Sequence, residues 1–152
     1  MAAQAWKLFK SAKHRIGTNT LALNGAKYRL SFCSTITSKV AVSTFHGLNY
    51  RVATHGTDYL ISGENLSTGV WTGYGSANSL TRKFDLTNPG VITASATAIT
   101  AMNVAVLWKS AATSATRYLL AYATLTTTYP LTVGKSNTLT VQMATSGVFT
   151  LY

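Results

Sequence analysis

The chain has 152 residues, 47% of them hydrophobic and only 11% charged, with 13 Lys and Arg against 3 Asp and Glu for a formal net charge of +10. That length forms one domain able to bury roughly 70% of its unfolded surface, while its charge content lies far below the roughly 25% of an average globular protein. A lone cysteine, Cys33, and the lack of any apolar run near the roughly 18 residues of a bilayer span exclude an intrachain disulfide, a cysteine-based metal centre and a transmembrane helix.

Residues 1–17 differ from all that follow. Ala2 to Ala12 favour helix, and Trp6, Phe9, Lys13 and Ile16 fall at helical spacing, with Gly17 as the expected stop. Lys7, Lys10, Lys13, His14 and Arg15 make the segment cationic, and its lysines interrupt any secretory apolar core. A cationic amphipathic helix can lie on a membrane, but four turns with a thin apolar side read better as a helix or arm docked on the body or on a neighbour.

From Asn19 onward the pattern becomes short extended runs between turns, with threonine and serine in place of charge. "KYRLSFC" (27–33) alternates, setting Tyr28, Leu30 and Phe32 against Arg29 and Ser31, with Cys33 expected to be a small buried apolar residue. "HGLNYRVA" and "TDYLIS" are less regular, and "NPG" (88–90) is a turn. "VITASATAIT" (91–100), "NVAVLWK" (103–109), "RYLLAYATL" (117–125), "TLTVQM" (138–143) and "VFTLY" (148–152) are predicted strands, with "AATSAT" (111–116) a loop and a turn at 134–137. The expected architecture is mainly β: a single-domain antiparallel β-sandwich or jelly-roll-like fold over 18–152, preceded by a short basic helix or arm over 1–17.

The chain is poorly equipped for chemistry. Three carboxylates, Asp58, Glu64 and Asp85, leave little for paired acid–base catalysis. His55 and Asp58 are three residues apart, a helical spacing, yet Gly56 sits between them, so a turn hydrogen bond is the simpler reading. No Gly-x-Ser-x-Gly elbow is present, and no Cys/His cluster offers a metal site. The stretch "GVWTGYGSANSL" (69–80) is glycine-rich, but no lysine follows before Lys83 and nothing helical succeeds it, so it is not a phosphate loop. Gly69, Gly73 and Gly75 are expected to serve turns with positive φ. Trp71 and Tyr74 are read as packing or interface residues, with sugar stacking as the alternative. Neither an enzyme nor a cofactor is expected. The basic residues are scattered outside the first fifteen, without the aromatic interleaving of a nucleic-acid module, so an acidic partner surface is favoured over specific nucleic-acid binding.

Several segments together resemble a family of small structural proteins of tailed bacteriophages: the basic "KLFKSAKHRIG", the strand "KYRLSFCST", "DYLISGE", the turn "GVWTGYGSANSL", the pair "VAVLWKSAATSATRYLLAYATL" and the closing "SGVFTL". The family turn favours paired glycines where this chain has Gly75-Ser76, and the acidic residues often seen before the central strands are absent, as at Asn103 and Ala105. The resemblance implies a virion component, assembled in the host cytoplasm, that associates with itself and with the major capsid protein as a decoration or cement subunit. A tail or neck protein is the alternative within that class, and a host-glycan-binding module using Trp71 and Tyr74 is the alternative outside it. The partner interface is expected at Trp6, Lys7, Phe9, Lys10, Lys13 and Arg15, together with Trp71 and Tyr74.

Overall fold

The computed structural model describes residues 5–21, 23–35, 43–45, 48, 63–74, 81–87, 91–95, 97–125, 130–143 and 148–151. Its described part is mainly β, built on a large antiparallel sheet with one α-helix, in the manner of a single-domain β-sandwich.

The central sheet has five strands in the order β1 (Lys7–Leu8), β9 (Leu119–Thr124), β8 (Val104–Lys109), β2 (Lys27–Cys33) and β3 (Glu64–Thr68), every neighbour antiparallel. Its middle is the predicted pair VAVLWK and LLAYAT, whose first five residues are buried in each strand. A register shift between Leu107 and Trp108 places an extra residue, Leu120, on the β9 side. The loop joining them contains a 3₁₀ turn at Ser114–Thr116 and closes on itself: Arg117 Nε donates to the Ala111 carbonyl at 3.0 Å, and the Thr113 and Thr116 hydroxyls meet at 2.7 Å.

Strand β2 occupies its predicted residues, but both of its faces are covered. Tyr28, Leu30 and Phe32 are buried on one side, where the Tyr28 ring meets Phe84 edge-on at 5.4 Å. That contact brings in a three-stranded sheet of β4 (Val70–Tyr74), β5 (Thr81–Asp85) and β12 (Phe149–Leu151), with β5 in the middle. On the other side Ser31 and Cys33 are fully buried too, because Trp108 lies directly across from Arg29 and stacks on Phe45 at 4.0 Å. The Trp108 indole donates to Ser31 Oγ at 2.9 Å, which satisfies both polar atoms.

Two small two-stranded sheets complete the described part of the fold. β6 (Ile92–Thr93) pairs with β11 (Thr138–Leu139), and β7 (Ile99–Met102) with β10 (Leu131–Val133). The single strand expected over 91–100 is thus two, and the one expected over 138–143 pairs only at its start. A turn spans Lys135 and Ser136 as predicted, with Ser136 at φ 65°.

The helix α1 (Lys10–Gly17) starts later than its sequence suggests. Lys7 and Leu8 form β1 against Tyr122 and Ala121, and the Phe9 amide donates to the Leu120 carbonyl at 3.1 Å, so the sheet holds this stretch extended. Gly17 is the last residue of the helix, as expected. The C-cap is Thr18, and the left-handed residue that follows is Asn19 at φ 55°. Asparagine tolerates that conformation, and the Thr18 and Thr20 hydroxyls donate to the Arg15 carbonyl, with Thr18 also reaching His14.

Candidate interaction surface

Helix α1 sorts its side chains by the helical period. Phe9, just ahead of it, and Ala12 are fully buried, with Ile16 half-buried beside them. Phe9 packs its ring against Tyr122 of β9 at 5.0 Å, and α1 rests on that strand. Lys10, Lys13 and His14 stand at i, i+3 and i+4 and are all exposed, with exposed Lys7 on the adjoining β1. Arg15 turns the other way and lays its guanidinium over the Tyr118 ring, 3.8 Å from the centroid.

One expected interface residue is corrected by this arrangement. Phe9 is 0% exposed, and the burial that locks α1 to the sheet removes it from any partner. Trp6 is half-buried against the same core and so belongs in part to the fold. The segment is therefore a docked edge strand and helix. Lys7, Lys10 and Lys13 remain on the outside, Arg15 is half-buried, and His14 joins the exposed stripe. The 10/13/14 spacing already carried that signal for His14.

The charges on α1 run against its own dipole at one end. Lys10 opens the helix, no acidic residue lies in its first turn, and Phe9 provides no side-chain cap. His14 and Arg15 sit favourably in the last turn. Among the described residues no carboxylate balances the lysines. Of the three carboxylates, Asp85 is held by Lys83 at 3.1 Å within β5, Glu64 lies on β3 at the opposite edge of the central sheet, and Asp58 is outside the described residues.

The described part of the stretch 69–80 is a strand. Val70–Tyr74 forms β4, with Trp71 opposite Phe84 and Tyr74 opposite Thr81; the side chains of Trp71 and Tyr74 lie outside the described part. Gly69 does not have a positive φ. It is small for another reason: a Cβ there would run into the Phe84 ring and come within 2.9 Å of the Leu23 carbonyl. Gly73 is a paired β4 residue, and Gly75 falls outside the described residues. Among the described residues the glycines in the left-handed region are Gly25 (φ 75°) and Gly63 (φ 80°), the latter entering β3 pressed against Ser31 and Leu30.

His55, Asp58 and "NPG" also fall outside the described residues. Among the described residues no three His, Cys, Asp or Glu side chains gather as metal ligands, and no helix is long and apolar enough to cross a membrane. No family model, characterised protein or solved structure matches the chain.

Proposed function

We propose that this chain is a structural subunit of a phage virion, a decoration or cement protein that binds the major capsid protein and bridges neighbouring subunits. The reading is carried by the solvent-facing side of the fold, where threonines such as Thr87, Thr97, Thr100, Thr132 and Thr138 stand where soluble proteins usually place mixed charges. Hydroxyls cost less to desolvate than charges do, so such a surface suits lasting contact with other subunits. The motif resemblance described above supplies the virion context.

The subunit would act by covering surface. A specific contact needs about 800 Å² per partner, and symmetric repetition adds avidity to weak individual contacts. Counting copies in purified particles by quantitative mass spectrometry tests the proposal. On the order of hundreds of copies, matching a symmetric shell, is the expected result. One ring's worth of copies would favour a tail or neck position, and absence from particles would end the virion reading.

A further inference from the structure

We infer that the outward face of β1 and α1, carrying Lys7, Lys10, Lys13 and His14, is a pre-formed docking site for a carboxylate-rich surface on a different protein. The inference deepens the proposed function and rests on it only in taking the partner to be a protein. It replaces a reaching arm with a fixed patch, since Phe9 and Ala12 anchor the segment in the core and the Phe9 amide is bonded to β9.

The chemistry of the patch selects among polyanions. Single-stranded nucleic acid is held by aromatic platforms along a basic groove. Here Phe9 is buried, Trp6 is half-buried and Tyr118 lies beneath Arg15, so the nearby aromatic rings are turned to the fold. Arg15, the guanidinium that would fork onto phosphate, is engaged on Tyr118 as well. An anionic membrane is matched by a helix whose apolar face enters the lipid, and the apolar residues of α1 are packed within the protein. A second copy of this chain is excluded by its own composition. It has three carboxylates in all, one of them paired with Lys83, and cannot present an acidic surface. What complements closely spaced, solvated ammonium groups on a rigid face is a foreign protein surface rich in Asp and Glu.

The test uses the whole chain and fluorescein-labelled poly-L-glutamate, read by anisotropy at low salt. The double variant Lys10→Glu/Lys13→Glu is compared with Lys27→Glu/Lys135→Glu, which makes the same change in net charge at exposed sites on other elements. The α1 variant should weaken binding by about tenfold, the sum of a few exposed charge pairs, while the control loses far less. Equal losses would mean that net charge alone acts, and would overturn the inference. So would oligo-dT or phosphatidylglycerol vesicles binding through Lys10 and Lys13 more tightly than polyglutamate does. Lysine acetylation footprinting of the unaltered chain gives an independent reading: Lys7, Lys10 and Lys13 should be protected by polyglutamate, and protection spread evenly over all lysines would refute the site. Particle copy number judges the virion reading separately, so either idea can fail alone.

Discussion

The two faces of the central sheet are both buried, yet one hydroxyl of β2 on each fares in an opposite way. On the face that meets the three-stranded sheet, β2 contributes Tyr28, Leu30 and Phe32, and the Tyr28 hydroxyl is buried with no hydrogen-bond partner among the described residues. Burial alone raises its pKa well above the ordinary phenol range. On the face beneath α1 and Phe45, the same strand contributes Ser31, whose hydroxyl is buried and bonded to Trp108. Adjacent alternations of one strand thus hold one satisfied and one unsatisfied oxygen. The difference teaches that alternation marks which side a residue faces, and that a second layer decides whether that side is wet.

Trp108 should be the costliest residue of this pair of faces to remove. It stacks on Phe45 and lies near the Arg29 and Arg117 guanidinium groups, at 5.8 and 5.9 Å from its ring centroid. Trp108→Ala is expected to lose roughly 3–5 kcal/mol in denaturant unfolding; a loss under about 1 kcal/mol would show that this face is not a packed core. Next comes Ser31→Ala, which strands the buried indole N–H and should cost about 1–3 kcal/mol.

Tyr28→Phe makes the same kind of deletion on the other face and should have the opposite sign, leaving stability unchanged or raised by up to about 1 kcal/mol. Its pH dependence follows. In the unfolded chain Tyr28 ionises near pH 10, whereas the folded protein keeps its proton, so the folded state binds more protons above that pH and stability falls as pH rises. The Tyr28 contribution is fully present below about pH 10 and is lost above it at a slope approaching 1.4 kcal/mol per pH unit. Tyr28→Phe should flatten this alkaline slope in unfolding curves. An unchanged slope would mean that the phenol is hydrated or bonded after all, and the contrast between faces would collapse.

Much of the fold was legible. Lys27–Cys33, Val104–Lys109 and Leu119–Thr124 announce themselves because buried central strands need dense apolar, β-branched and aromatic residues, and each lies where its sequence places it. Trp6 to Phe9 misled because helical spacing of apolar residues says nothing of an open strand edge: pairing with Tyr122 and Ala121 overrides a local helix preference. Gly69 misled because a missing Cβ can answer a neighbour's ring as well as a backbone angle, and Phe84 is fifteen residues away. The exposed lysines of α1 were readable from their spacing. The inward turn of Arg15 was not, since Tyr118 reaches it only through the fold.

The smallest effect bears most directly on the site. Lys10 begins a helix that has no acidic residue in its first turn and no side-chain cap, so its charge opposes the dipole it sits on. Lys10→Glu should therefore stabilise the protein, by about 0.3–1 kcal/mol at low ionic strength, and salt should erase the gain by screening. The same substitution removes a positive charge from the proposed docking face and should weaken polyglutamate binding. Stability and binding would then move in opposite directions from one exposed residue. The proposed acidic partner would account for a lysine at a position that disfavours the helix. If Lys10→Glu leaves both quantities unchanged, Lys10 is only a solvated surface charge, and the face beneath α1 differs from its opposite by packing alone.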